Sequence, residues 1–338
     1  MNSVNLKKLA EELNVSVSTV SRALRDSYEI SSETKQKVLA LAAKLNYQPN
    51  PYASSLRNQK SLTIAVVVPE IANNFFSLAI NGIEEIAHLN GFHVLIYLTH
   101  DDYNKEVSIL SHLANGRVDG VLMSLSSETN DISHLEELVS KEIPLVFFDR
   151  VCESISTAKV TNDDYESGFL ATEHLLNQGC RQIGYLSVSR HLSISKNRMQ
   201  GYIDALSAYS APYNPSWIVH CSNDQNENAQ LIKNLLRSGN PPTGIFASVE
   251  KLALTTYNVC NEMSLRIPDD VKVVGFSNLE SANLLNPSLT VIRQDAFQIG
   301  KEASSILFKA LSQVDFVLND ECKVLKAELV KRDSTALR

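Results

Sequence analysis

The chain has 338 residues, 44% of them hydrophobic, and a formal net charge of −7. No stretch reaches the length of a transmembrane helix, and the N-terminus lacks the apolar core of a signal peptide, which counts against a membrane protein or a secreted binding protein. The five cysteines (Cys152, Cys180, Cys221, Cys260 and Cys322) are far apart, with no Cys-x-x-Cys, so neither a zinc site nor a disulfide framework is suggested and a reducing cytoplasm is expected.

The charge is unevenly spread. Residues 1–60 hold nine Lys/Arg against five Asp/Glu, a net of +4, which leaves −11 on residues 61–338. A basic head on an acidic body places an electrostatic footprint at one end only. Leu6, Leu9, Ala10 and Leu13 have the i, i+3, i+4, i+7 spacing of an amphipathic helix, with Asn5 as its N-cap. Asn14 falls at the following turn and tolerates the left-handed conformation. Ser16 then caps a second helix. Val20, Ala23 and Leu24 form its apolar side, while Val17, Ser18, Ser21 and Arg22 form a face without an acid. Hydroxyls suit phosphates, Arg suits the O6/N7 edge of guanine, and an apolar methyl suits thymine. A third helix starts at Ser31 or Ser32 and buries Val38, Leu41, Ala42 and Leu45. Three short helices with a tight first turn describe a helix-turn-helix domain, against the plainer alternative of a three-helix cap.

Pro49 and Pro51 end the third helix. Residues 52–57 are too short to be a stable helix alone and are expected to order only against a partner. Leu56 either wedges into a minor-groove base step or simply touches the next domain, and the residues leave both open.

The rest alternates strands and helices. Strands are expected at 61–69, 93–99, 118–125, 144–149, 182–187, 217–221, 244–248, 271–276 and 324–330. Helices are expected at 75–89, 103–115, 131–141, 164–178, 196–209, 225–238, 250–263 and 296–312. This pattern means parallel sheets, and about 270 residues are too many for one core, so two subdomains follow. Ligands in such sheets sit beyond the carboxyl ends of the strands. The strand-end candidates are 73–76, 124–127, 149–150, 187–195, 249–250 and 277–278. Arg198 beside Asp149, with Phe75 or Phe76, would hold a small polyol or an anion; the competing reading is a structural ion pair between lobes. Arg190, His191 and Lys196 would make the mouth cationic, or are solvated loop charges. No GxGxxG, GxxxxGK[ST], GxSxG or HExxH is present, and no catalytic constellation stands out, so an enzyme is not expected. No metal site or cofactor is expected either.

The words Leu6-Lys-Lys-Leu-Ala, Val15-Ser-Val-Ser-Thr-Val-Ser-Arg-Ala-Leu24, Tyr28-Glu-Ile-Ser31 and Leu45-Asn-Tyr-Gln-Pro-Asn50 closely resemble the head of LacI/GalR-family bacterial transcription regulators. Weaker likenesses continue at Asn74-Phe-Phe76, Val118-Asp-Gly-Val121, Phe148-Asp149, Arg198-Met-Gln-Gly-Tyr202, Val273-Val-Gly-Phe276 and Pro287-Ser-Leu-Thr290. The resemblance implies an all-α helix-turn-helix head (1–48), a hinge (49–60) and an α/β periplasmic-binding-protein-like sensor of two parallel-sheet subdomains (61–338). The lobes would be 61–161 plus 293–321 and 162–291 plus 323–332, with crossings near 160–163, 291–294 and 320–324. It implies a homodimer on a pseudo-palindromic operator in double-stranded DNA. Val17, Ser18 and Arg22 match base-reading positions, and Ser16, Thr19, Ser21, Tyr47 and Asn50 match backbone contacts. Ala53 and Leu56 match the minor-groove hinge. Phe75, Phe76, Asp149, Arg198, Val249 and Ser277 match effector-binding positions for a sugar or sugar derivative, and His191, from the cleft mouth, joins them as an effector-binding candidate. Four departures stand out: Asn14 for a usual Gly, Ser54 for a frequent Arg, and Val249 and Ser277 where sugar-binding members carry Asn and Asp. The last two argue against an ordinary hexose. The expectation is a repressor-type regulator in the bacterial cytoplasm, associated with the nucleoid; the alternative is a cytoplasmic sensor without operator binding. A dimer is expected because no leucine-heptad tail is present.

Overall fold

The computed structural model describes residues 5–24, 26–45, 47, 61–115, 118–189, 191–313, 316–319 and 321–336. The chain divides into two units, residues 1–61 and 62–338, each with its own core.

The first unit holds α1 (Leu6–Leu13), α2 (Val17–Ala23) and α3 (Ser32–Lys44). Each is started by a side chain that satisfies an orphan N–H: Asn5 accepts from the Lys8 amide, Ser16 from Thr19 and Ser31 from Thr34. Asn14 closes α1 at φ 52°, ψ 44°, returning its N–H to the carbonyls of Ala10 and Glu11. Leu9, Ala10, Val20, Ala23, Val38 and Ala42 are buried together, ringed by half-buried Leu6, Leu13, Leu24, Leu41, Leu45 and Tyr47.

The second unit has two sheets. In chain order its elements are β1 (Thr63–Val68), α4 (Asn74–Leu89), β2 (His93–Leu98), α5 (Tyr103–Leu113), β3 (Gly120–Met123), α6 (Ser133–Ser140), β4 (Leu145–Phe148) and β5 (Lys159–Asn162). Then follow α7 (Asp164–Asn177), β6 (Ile183–Ser187), α8 (Ser193–Ala208), β7 (Ile218–His220), α9 (Gln225–Leu236), β8 (Gly244–Ala247), α10 (Glu250–Glu262) and β9 (Lys272–Phe276). The chain closes with β10 (Thr290–Arg293), α11 (Ala296–Ser312), β11 (Cys322–Leu325) and β12 (Glu328–Val330). The first sheet runs β11-β5-β4-β3-β1-β2 and the second β12-β10-β9-β8-β6-β7. Each lobe therefore repeats one doubly wound order, and every ladder is parallel except β10 with β12. β1 is buried at five of its six residues, which is why it reads as an apolar run. Gly82 on α4 and Gly300 on α11 let those helices touch backbone to backbone; a Cβ on either would strike a carbonyl of the other.

The ends differ from the sequence expectation. The single strand expected at 324–330 is two strands, because β11 pairs with β5 in the first lobe and β12 with β10 in the second. The third crossing is therefore at 326–327, not 320–324. The other two run from β5 to α7 at Asp163 and from β10 to α11 at 294–295. Asn162 thus stays with the first lobe, residues 292–293 with the second, and 322–325 with the first. α8 starts at Ser193, one turn earlier than its periodicity suggests, without a side-chain cap.

Candidate DNA-reading face and effector cleft

On α2 the inward side is taken by Val20 and Ala23, so the remaining positions face outward. Val17 is 43% exposed, an apolar side chain left in water at the helix start. Ser16, Ser18 and Arg22 are exposed, while Thr19, Ser21 and Tyr47 are half-buried. Ser16 Oγ accepts from the Thr19 amide at 3.1 Å and lies 2.7 Å from Ser18 Oγ and 2.8 Å from Thr19 Oγ1. Burial raises the Tyr47 phenol above its usual range. Contrary to the sequence expectation, the face is not free of acid, because Glu29 from the α2–α3 loop meets Arg22 Nη1 at 2.8 Å. Helical spacing along α2 cannot see a residue seven positions downstream. Asn50, Ala53 and Leu56 lie outside the described residues.

In the second unit the carboxyl ends of both sheets converge on a cavity of about 40 Å³. Asn73 caps α4 and turns Phe75 and Phe76 to it, their rings edge to face at 5.4 Å. Asp149 ends β4 in the left-handed region at φ 60°, a costly conformation for an Asp that faces the cavity. Burial pushes its carboxyl up, against the pull of Arg150 and Arg198. Arg150 donates from Nη1 to Asp101 at 2.6 Å, and its Nε lies 3.9 Å from Asp149. Burial pushes Asp101 up too, but Arg150 and the Ser127 amide outweigh it and hold that carboxyl below its usual range.

Arg198 is the most constrained side chain in the cavity. Its Nε and Nη2 both reach Asp164 Oδ1 at 2.7 Å, its Nη1 donates to the Ser248 carbonyl at 2.7 Å, and its guanidinium stacks 3.7 Å from the Phe276 ring centre. Two glycines make this possible. Gly168 on α7 lies against the Arg198 backbone and Gly201 on α8 against that of Tyr165; a Cβ on either would collide with a carbonyl oxygen. The helices are thereby pressed together with Arg198 over the start of α7. The sequence paired Arg198 with Asp149; the structure pairs it with Asp164, inside one lobe. Burial pushes Asp164 up to about 6, opposed by Arg198 and reinforced by the Asp149 charge.

Val249 and Ser277 line the cavity as expected, but Ser277 donates its hydroxyl to Glu250 at 2.5 Å. His191 does not line it: it is exposed on the loop before α8. Lys196 is exposed as well, and Arg190 lies outside the described residues. Ile194 falls within the 187–195 candidates, whereas sequence reasoning missed Asp164, Phe276 and Gln294. Asp163-Asp164 reads as a helix cap, and Asp163 is one; nothing local shows that Asp164 faces inward. Among the described residues, the buried Gln294 Nε2 and Arg150 Nε in this cavity have no hydrogen-bond partner. Leu192 and Ile194, from the second lobe, pack into the first lobe's cluster with Leu125, Val151, Cys152 and Ile155.

A helix-turn-helix head joined to a two-lobed body with a polar interlobe cavity defines a ligand-responsive DNA-binding regulator. Residues 5–50 match the model of bacterial regulatory proteins of the lacI family, and residues 61–325 that of periplasmic binding proteins and the sugar-binding domain of the LacI family. The ribose operon repressor of Haemophilus influenzae is 31% identical over 97% of this chain and 98% of its own length. The transcriptional repressor PurR of Mannheimia succiniciproducens is also 31% identical, with the same coverage of both chains. Among solved structures, the lac repressor dimer bound to operator and the anti-inducer ONPF superposes with a TM-score of 0.85 at 25% identity, covering 99% of each chain. A LacI-family regulator from Enterococcus faecium with bound ribose gives 0.71 at 28% identity, over 82% of this chain and 99% of that one. The chain belongs to the LacI family: it is a DNA-binding transcription regulator controlled through an effector-binding domain, and not an enzyme. No helix among the described residues is long and apolar enough to cross a membrane.

Proposed function

We propose that the protein is a homodimeric repressor of a pseudo-palindromic operator, relieved or tightened by a carbohydrate-related metabolite held between its lobes. In this reading Val17, Ser18 and Arg22 read base edges, while Ser16, Thr19, Ser21 and Tyr47 hold the phosphates. The observation that carries the effector site is Arg198: a guanidinium anchored on three sides in a cavity that also holds two buried N–H donors with no hydrogen-bond partner among the described residues. Such donors are costly unless something accepts from them.

The chemistry favours hydroxyls. Asp149 and Glu250 offer acceptors, while both guanidiniums already face carboxylates, so an added phosphate gains little. Phe75, Phe76 and Phe276 supply the apolar walls on which sugar rings pack. The named relatives and neighbours include a ribose operon repressor and a LacI-family regulator with bound ribose. Since about 40 Å³ is room for only a few waters, a sugar must part the lobes, and Leu192 and Ile194 must leave their seats. Lobe opening is thus tied to binding, with an expected coupling of about 1–3 kcal/mol to operator affinity. A second copy would cover the edge strand β2, where Leu95 and Ile96 are 43% and 42% exposed.

The test is fluorescence anisotropy of a labelled operator titrated with pentoses, hexoses and their derivatives. Wild type should shift its affinity with at least one of them, and Arg198→Ala should bind operator but respond to none. A normal response in Arg198→Ala would assign that side chain to the fold alone.

A further inference from the structure

We infer that Glu29 is a positioning residue for DNA readout: it fixes the Arg22 guanidinium for a guanine edge and suppresses binding to DNA that lacks that guanine. This rests on the base-reading role proposed for Arg22.

The contact is built by the loop. Ser27 donates its amide to the Arg22 carbonyl at 3.1 Å, the Glu29 amide donates to Ser27 Oγ at 3.4 Å, and Ile30 packs against the head core. Glu29 is therefore held between an anchor on Arg22 itself and an anchor in the core. Its carboxylate meets Nη1 at 2.8 Å with both side chains about half exposed. An exposed pair of this kind adds little to the fold, so its consequence lies in recognition. The other acids of the α2–α3 region face elsewhere: Asp26 pairs with Lys35 and Glu33 with Lys37.

Two effects follow. An ion pair through Nη1 leaves the Nε–Nη2 edge, two N–H donors in one plane, for guanine O6 and N7. Restricting the long Arg22 side chain before contact reduces the entropy lost on binding. On DNA without the guanine, Arg22 can gain only phosphate contact, and the Glu29 charge beside it repels the same phosphates. On the operator the smaller entropy loss of the pre-set Arg22 offsets that repulsion, so Glu29 lowers non-specific affinity and leaves specific affinity nearly untouched.

The experiment compares the selected operator with a scrambled duplex of equal length, across a salt series, for the full chain carrying Glu29→Gln, Glu29→Asp or Arg22→Ala. Thermal melting checks the fold of each. Glu29→Gln should raise scrambled-duplex affinity about tenfold and steepen its logarithmic salt slope by about one unit per chain. Operator affinity should change by no more than about twofold, and Glu29→Asp should restore the ratio. An unchanged ratio in Glu29→Gln, with Arg22→Ala collapsing it, overturns the role of Glu29. Unchanged base preference in Arg22→Ala overturns the base-reading role, and this inference with it.

Discussion

Removing Asp164 separates what holds the body together from what makes it respond. The Asp164 and Arg198 side chains are each 4% exposed, and one carboxylate oxygen takes two of the guanidinium's N–H donors. In Asp164→Ala, Arg198 keeps the Ser248 carbonyl and the Phe276 ring but loses the carboxylate it touches. Breaking a buried pair from one side costs about 3–5 kcal/mol. At about 2–4 °C per kcal/mol for a domain of this size class, Tm should fall by roughly 6–20 °C. Taking out both charges is different, because desolvation already offsets much of the attraction; the upward push on Asp164 has that origin. Asp164→Leu with Arg198→Met should therefore recover to within about 1–2 kcal/mol of wild type. It should nevertheless remain blind to every sugar that shifts wild-type operator affinity. Calorimetry gives the stabilities and operator anisotropy the response. A double variant no more stable than Asp164→Ala would place the loss in packing and not in an unpaired charge.

Two buried groups give stability opposite pH dependences. Asp164, raised to about 6 from 3.8, holds its proton longer in the fold than in the unfolded chain, so its contribution is full below about pH 4 and lost as pH rises through 6. His174, buried against Thr335 Oγ1 and lowered to about 4 from 6.5, contributes fully above about pH 6.5 and loses that as pH falls through 4. Each amounts to about 3 kcal/mol, so they nearly cancel. Relative to wild type, urea midpoints between pH 4 and 7 should fall toward acid in Asp164→Asn and rise toward acid in His174→Gln; profiles identical to wild type would contradict both assignments. Gly168→Ala should cost about 1–3 kcal/mol by driving a methyl into the Arg198 carbonyl, and should abolish effector response more completely than it lowers the urea midpoint. Ser16→Ala should remove about 1 kcal/mol from the head and weaken operator and scrambled DNA alike, with base preference in a selection assay unchanged.

The head was legible because its signals are local. A cap lies next to what it caps, and a 3.6-residue stripe declares its buried face, so Asn5, Asn14, Ser16 and Ser31 could be placed before any fold was known. The two doubly wound sheets were legible from alternation, and the cavity's approximate lining from the rule that ligands sit at strand carboxyl ends. What escaped depends on the approach of distant segments. Asp164 meets Arg198 because Gly168 and Gly201 let two helices touch, and no periodicity encodes that contact. Glu29 reaches Arg22 through a loop, outside the helical register of α2. His191 is a candidate only as a loop cation at the cleft mouth, and it sits exposed on the loop before α8. The strand at 324–330 was misread because β11 and β12 are one extended stretch in sequence, and only pairing with β5 and β10 divides them between lobes.

The most direct test of the account is selection of operators from random duplex DNA with the full chain, at two salt concentrations, followed by titration of the selected site with sugars. A pseudo-palindrome should be enriched, with affinity that falls steeply with salt and shifts on adding a carbohydrate-related ligand. Enrichment of no sequence at either salt, or a selected operator indifferent to every such ligand, would contradict the proposed function.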